Sequence, residues 1–279
     1  MLTKKTIGFL GAGNLAEALI KGLLASKIVT AGQIIAGDRI SERLVHMAET
    51  YEIKVYNKNS EVAENSDILF ITVKPNDVPG VVRAIASALR GDKLIITAAA
   101  GVTTKTVLEN LKEGGHTGFI PVVRAMPNTP VIVSEGAIGI CAGLGATEAD
   151  LKLARTVFEA VGRVLVVDDE GLLDAVTGLS GSGPAYVFLF MQALADAGAR
   201  AGLDKKTSLA LALQTTLGAA KLALESDKNL DELIKMVSSP GGTTVEGLKR
   251  LRDGGLKGTV EKAVLAATAR AKELSGSGG

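Results

Sequence analysis

A single cysteine, two histidines and no surplus of either charge set the first limits on this chain of 279 residues. With only Cys141 present, no internal disulfide is available. Its place in the apolar run Gly136-Ala137-Ile138-Gly139-Ile140-Cys141 reads as a small core residue in a reducing, cytoplasmic setting. His46 and His116 have no second ligand type at metal spacing, which removes a zinc centre and a histidine-based triad from consideration. Lysine and arginine number 31 against 30 aspartates and glutamates, so no net field gathers nucleic acid or anionic lipid. No apolar stretch approaches the length of a membrane span, and Met1-Leu2-Thr3-Lys4-Lys5 leads into a strand-like run instead of an export signal. Hydroxyls, amides, lysines and carboxylates remain for chemistry, which points to a cofactor for the difficult step.

What is present begins with Thr6-Ile7-Gly8-Phe9-Leu10, a buried strand followed at once by Gly11-Ala12-Gly13-Asn14-Leu15-Ala16 and an apolar-periodic helix. This is the glycine-rich dinucleotide turn. Gly11 makes the bend, Gly13 lets the backbone approach a pyrophosphate, and Ala16 in the third small position lets the helix pack closely on the strand. Gly11, Gly13, Asn14, Leu15 and Ala16 are therefore candidate cofactor residues, the alternative being a strand-to-helix turn that holds nothing. The next strand, 33–37, ends at Asp38, about where such a fold reads the adenosine ribose. Asp38 alone favours the free 2′-hydroxyl of NAD, whereas Arg39 and Ser41, a guanidinium beside a hydroxyl, suit the 2′-phosphate of NADP. The reading leans to NADP with NAD open, because Asp38 can turn toward Arg39 or solvent. Arg39 as an idle surface cation is the plain alternative.

Strand-like runs at 54–56, 67–72 and 93–97 alternate with helical stretches, which implies parallel βαβ units with helices on both faces. Ligands in such sheets lie outside the carboxyl ends of the strands. Val73-Lys74-Pro75, Ala98-Ala99-Ala100 and Met126-Pro127-Asn128-Thr129-Pro130 fall on that rim, each a cofactor contact or merely a loop. After Val122-Val123-Arg124 and two more strands, 135–142 and 163–167, only Ala/Leu-rich periodic segments follow: 172–179, 184–201, 205–225, 230–237, 244–252 and 259–274. The fold class is thus α/β, a Rossmann-type dinucleotide-binding domain at 1–168 followed by an all-α domain at 169–279. Residues 205–225 carry apolar side chains on most faces, among them Leu209, Leu211, Leu213 and Leu217. One monomeric layer hides fewer, so a homodimer through the helical domain is expected, a bulky monomeric core being the alternative. The tail Ser275-Gly276-Ser277-Gly278-Gly279 reads as disordered.

Within the helical half, Ser238-Ser239-Pro240-Gly241-Gly242-Thr243-Thr244 joins turn chemistry to a helix start. Pro240 ends one helix, the two glycines permit positive φ, and Thr243 or Thr244 can cap the next helix. Successive N–H groups at such a helix start hold a carboxylate or phosphate, unless the segment is simply a tight turn.

The segment 233–248, Leu233-Ile234-Lys235-Met236-Val237-Ser238-Ser239-Pro240-Gly241-Gly242-Thr243-Thr244-Val245-Glu246-Gly247-Leu248, closely resembles the signature of pyrroline-5-carboxylate reductase. Gly11-Ala12-Gly13-Asn14, Val73-Lys74-Pro75, Met126-Pro127-Asn128-Thr129-Pro130 and Gly181-Ser182-Gly183-Pro184-Ala185-Tyr186 extend the resemblance over the whole chain. It implies NADPH- or NADH-dependent reduction of (S)-1-pyrroline-5-carboxylate to L-proline, the last step of proline biosynthesis. It further implies that the backbone amides of Gly242, Thr243 and Thr244, in a turn with Ser239 and Gly241, bind the ring carboxylate, and that the Thr244 hydroxyl, the catalytic candidate, lies near the imine nitrogen. Asn59, Val73, Lys74 and Pro75 would line the adenosine and ribose side of the cofactor, and Ala98, Ala99 and Asn128 the nicotinamide side. Asp227 stands where the family often has a glutamate, with shorter reach. The resemblance also implies interlocked subunits, as a dimer or an assembly of dimers. A β-hydroxyacid or 6-phosphogluconate-type dehydrogenase shares the two-part layout, but no lysine follows Gly181-Ser182-Gly183 at the short spacing that chemistry requires. A non-catalytic NADP-sensing dimer is the reading from a different class.

Overall fold

β1 (Ile7–Leu10) is apolar or glycine at every position and wholly buried, as a strand must be when helices cover both faces of its sheet. The computed structural model describes Leu2, residues 4–90 and residues 93–276. After β1 come α1 (Asn14–Ala25), β2 (Ile34–Gly37), α2 (Ser41–Tyr51), β3 (Lys54–Tyr56), α3 (Asn59–Glu64), β4 (Ile68–Ile71), α4 (Val78–Ile85), β5 (Leu94–Thr97) and α5 (Thr104–Glu113). β6 (Val122–Met126), β7 (Gly136–Ala142), α6 (Glu148–Phe158) and β8 (Gly162–Val166) complete one sheet in the order β3-β2-β1-β4-β5-β6-β7-β8. The chain leaves β1 toward β2 and returns on its other side as β4, so a crevice opens at the carboxyl ends of these strands.

Every pairing is parallel except β6 with β7. The link between those two strands, 127–135, holds only a short 3₁₀ turn, Thr129–Val133, and a parallel return needs a crossover of a dozen residues or more.

Alternate side chains go to opposite faces. Ile7 and Phe9 of β1 join Ile68 and Phe70 of β4 in one core with Leu19 and Leu23 of α1 and Val157 and Phe158 of α6. Phe9 stacks on Phe70 at 5.1 Å between ring centroids, and Phe158 meets Phe70 edge-on at 5.6 Å. Leu10, Leu69 and Ile71 enter the second core with Val62 of α3, Val78 and Val82 of α4, and Val107 of α5.

The chain divides into two compact units, Met1–Ser182 with Leu265–Gly279, and Gly183–Val264. Strands stop at Val166, but α7 (Leu172–Val176) and the π turn Thr177–Gly181 still belong to the first unit. Arg124 of β6 is one reason. It is 3% exposed and pairs with Glu170 at 3.3 Å and Asp174 at 3.7 Å, while Glu170 also accepts the Thr104 N–H (2.8 Å) and hydroxyl (2.7 Å) at the start of α5. Helices α8 (Gly183–Arg200), α9 (Lys205–Glu225), α10 (Leu230–Met236), α11 (Thr243–Asp253) and α12 (Leu256–Gly276) follow. At the end of α12, Ser275 Oγ donates to Asp174 Oδ1 (2.8 Å). Ser275 and Gly276 are therefore helical and not a disordered tail; the remainder of that tail, 277–279, lies outside the described residues.

In the second unit, Asp204 caps α9 by accepting the Lys206 and Thr207 N–H groups, and an Asn229/Glu232 capping box starts α10. α9 buries only Ser208 and Ala212. Its leucines, and Phe188 and Leu189 of α8 at 61% and 68% exposure, leave a broad apolar surface open. No helix among the described residues is long and apolar enough to cross a membrane.

Candidate active site

Gly11 follows β1 with φ +103°, a conformation strained for any residue with a side chain, and an added Cβ would stand 2.8 Å from Val73 Cγ1 and 3.0 Å from the Val73 nitrogen. The N-cap of α1 is Gly13, which offers its helix no side-chain acceptor, so the first-turn N–H groups lack partners within the helix. Beyond its own chain neighbours, no heavy atom of the described residues lies within 4 Å of where a Gly13 Cβ would be. Unpaired N–H groups at the positive end of a helix, facing open space, form a cradle that fits a diphosphate.

The cradle is braced from three sides. Thr72 Oγ1 donates to the Gly11 carbonyl (2.8 Å), Asp38 Oδ2 accepts the Ala12 N–H (2.7 Å), and Arg43 donates to the Ala12 carbonyl through Nε (2.9 Å) and Nη2 (2.7 Å). Arg43 is held in turn by Glu17 at 2.7 Å. Burial pushes the Glu17 carboxyl up, yet hydrogen bonds from His46, Arg43 and Tyr51 outweigh it and bring the pKa down to about 2.

A cleft of about 510 Å³ runs from Gly11, Gly13 and Asn14 past Arg39 and Asn59 to Val73 and Lys74. Asp38 lies here too, but it turns neither toward Arg39 nor to solvent. Its Oδ1 accepts the Ile40 N–H (3.0 Å), so both oxygens satisfy backbone donors that the turn leaves unpaired. Arg39 is exposed and faces Asp77 at 3.8 Å. Ser41, the exposed first residue of α2, and Pro75, which opens a 3₁₀ turn, do not line the cleft.

A second cleft of about 310 Å³ shares Asn14 and is walled by Leu15, Ala98, Asn128, Ile132 and Gly181. Asn128 donates to the Ser180 carbonyl (3.0 Å) and accepts the Ala137 N–H (2.9 Å), which makes it a fixed wall. Ala16 and Ala99 are buried in the two cores and reach neither cleft.

The second unit carries the turn between α10 and α11. Gly241 takes φ +72°, and Gly242, at φ −80°, is the N-cap of α11. Neither Thr243 nor Thr244 caps the helix by its side chain; both fall inside it, because the glycines complete the turn one residue earlier than the threonines. The Gly242 N–H donates to the Ser239 carbonyl (2.9 Å), so the helix-start donors left for a ligand are those of Thr243 and Thr244. Ser239 and Gly241 shape the turn, whereas Asp227 is an exposed residue ahead of α10.

Residues 170–274 match the family model for pyrroline-5-carboxylate reductase dimerisation, and residues 6–101 match the model for NADP oxidoreductase, coenzyme F420-dependent. Over 273 residues the chain is 42% identical to the pyrroline-5-carboxylate reductase of Methanosarcina acetivorans, covering 98% of this chain and 99% of that protein. The chain belongs to the pyrroline-5-carboxylate reductase family. The solved pyrroline-5-carboxylate reductase from Coxiella burnetii matches with a TM-score of 0.92 at 37% identity, covering 98% of this chain and 99% of that one. The pyrroline carboxylate reductase of Plasmodium falciparum, described with NADP bound, matches with a TM-score of 0.83 at 30% identity over 98% of each chain.

For a reductase of this family the sequence left three polar residues of the first cleft unmarked: Thr72, Arg43 and Asp77. Arg43 lies in the first turn of α2, two residues after Ser41, and reaches the cleft through the Ala12 carbonyl and Glu17, contacts that no local pattern marks. Thr72 and Asp77 flank Val73-Lys74-Pro75 and carry no pattern of their own.

Proposed function

We propose that the chain reduces (S)-1-pyrroline-5-carboxylate to L-proline with NAD(P)H, as the last step of proline biosynthesis. The carrying observation is the 42% identity to a pyrroline-5-carboxylate reductase across practically the full length of both chains. The bound nicotinamide supplies the hydride. The rest falls to the chain's own residues. The Thr243 and Thr244 N–H groups hold the ring carboxylate at the start of α11, and the Thr244 hydroxyl donates to the imine nitrogen, which takes up one proton from solvent as hydride adds to the carbon. A cyclic imine accepts hydride readily only when that nitrogen is protonated or strongly hydrogen-bonded, so one donor and correct placement suffice. Loss of NADPH absorbance on adding pyrroline-5-carboxylate, with proline formed mole for mole, tests the reading. Cofactor binding without turnover would leave the non-catalytic dimer, and NADP-dependent oxidation of a β-hydroxyacid would leave the dehydrogenase.

NADP is the preferred cofactor in this reading. Both Asp38 oxygens are engaged by backbone donors and Arg39 stands exposed at the ribose end of the cleft. A charge-assisted bond from Arg39 to a 2′-phosphate is worth about 1.5–3 kcal/mol. Arg39→Ala should therefore raise the KM for NADPH by about tenfold or more and leave that for NADH nearly unchanged. Equal effects on both cofactors, in steady-state kinetics, would remove the assignment.

The helical unit holds a homodimer. Leu213 and Leu217 lie one turn apart on α9, 45% and 49% exposed in the single chain. Replacing both by glutamate should yield a monomer in sedimentation with its helical circular dichroism retained. A persistent dimer would move the interface elsewhere. The enzyme is placed in the cytoplasm, consistent with an unpaired buried cysteine.

A further inference from the structure

Asp77 occupies a position that its own helix does not use. It closes the 3₁₀ turn Pro75–Asp77 and precedes α4, where a carboxylate commonly accepts helix-start N–H groups, yet its side chain makes no capping bond. The carboxylate instead faces Arg39, with Nη1 and Oδ1 3.8 Å apart. Arg39 follows β2 and Asp77 follows β4, the two strands that flank β1, so the pair spans the mouth of the cleft from opposite rims. The Arg39 side chain is 78% exposed and that of Asp77 38%, and an ion pair this open contributes little to stability. Of the other charges lining the cleft, Asp38 is committed to two backbone N–H groups and Arg43 to Glu17 and the Ala12 carbonyl, while Lys74 is an exposed cation on the same rim as Asp77.

We propose that Asp77 sets how strongly this site discriminates between NADPH and NADH, by opposing the 2′-phosphate that Arg39 attracts. The inference rests on the cofactor reading above. A 2′-phosphate carries nearly two negative charges and must displace or stand beside the Asp77 carboxylate to reach Arg39. The 2′-hydroxyl of NADH is neutral and meets no such repulsion. Asp77 thus penalises one cofactor alone and holds a site built around Arg39 closer to dual use. Asparagine at this position keeps the shape and the helix start while removing the charge.

Direct binding separates this proposal from the reading beneath it. Calorimetric titration of Asp77→Asn should show NADPH and adenosine 2′,5′-bisphosphate binding about three- to tenfold tighter than to the unaltered protein, with NADH and adenosine 5′-monophosphate within about twofold. The gain should shrink as salt is raised, since the groups are solvent-exposed. An unchanged ratio between phosphorylated and unphosphorylated ligands, or equal tightening of both, would overturn the proposal while leaving the cofactor reading intact. Unaltered protein that bound neither NADPH nor the bisphosphate would overturn the cofactor reading and this proposal with it.

Discussion

Thr244→Ala should lower turnover by about thirtyfold to a thousandfold, the equivalent of roughly 2–4 kcal/mol at the transition state. The substitution keeps the backbone N–H that helps hold the carboxylate and removes only the hydroxyl, whose bond strengthens as the imine nitrogen gains charge or changes hybridisation. Turnover should therefore fall more than substrate affinity. Thr244→Ser should recover most of the rate, because the hydroxyl returns and only a methyl is missing. A structural role predicts the opposite pattern, in which losing a helix cap costs about 1 kcal/mol of stability and leaves the folded enzyme active. The geometry already disfavours it, since Gly242 is the N-cap and no side chain caps α11. Alanine is also the better helix former, so the thermal midpoint should hold or rise slightly. Turnover and midpoint measured on the same sample decide; a destabilised but fully active variant contradicts the catalytic role.

The second large effect concerns stability. Arg124→Ala should cost about 3–5 kcal/mol, because it strips the charged partner from the Asp174 carboxylate, which remains buried. Asp174 is 5% exposed and would retain the Ser275 hydroxyl at 2.8 Å but no cation among the described residues. Glu170 keeps the Thr104 N–H and hydroxyl, so the loss falls mainly on Asp174. For a chain of this size the thermal midpoint should drop on the order of 10 °C. The comparison must be made at equal protein concentration, since association shifts the midpoint by mass action. Adding Asp174→Leu should recover part of the loss by removing the stranded charge. A midpoint within a degree or two of the unaltered protein would mean that water reaches the cluster and that the network does not hold α7 and the end of α12 in place.

The sheet was largely legible because most strands are short apolar runs, with Gly11, Asp38, Pro127 and Gly143 closing β1, β2, β6 and β7, and the helices between strands carry a 3.6-residue period. The direction of β7 was not marked by periodicity; it follows from a connection too short for a parallel return. Composition located the last strand but not the packing of α7, whose allegiance to the sheet depends on Arg124, a residue that reads in sequence as one more strand position. The glycine turn was readable from its spacing, as was its place at the end of β1. Which way Asp38 turns was not readable, since that depends on the unpaired Ala12 and Ile40 N–H groups within reach of one carboxylate. Arg43 and Asp77 act at the cleft through neighbours distant in sequence, Ala12 and Arg39, which no local motif records. At the other turn, the spacing gave the glycines and threonines, but a shift of one residue decided that glycine caps and the threonines stay free. Ser275 shows the reverse failure, a tail-like residue fixed by a buried carboxylate.

The central step is the delivery of hydride to the imine carbon of pyrroline-5-carboxylate. Its most direct test is isotopic: incubate the purified chain with pyrroline-5-carboxylate and NADPH deuterated at the transferable position of the nicotinamide, then examine the product by mass spectrometry and NMR. The expected result is L-proline carrying one deuterium at the ring carbon bonded to nitrogen and remote from the carboxylate, formed mole for mole with oxidised cofactor. Unconsumed substrate, or proline without deuterium at that carbon, would contradict it.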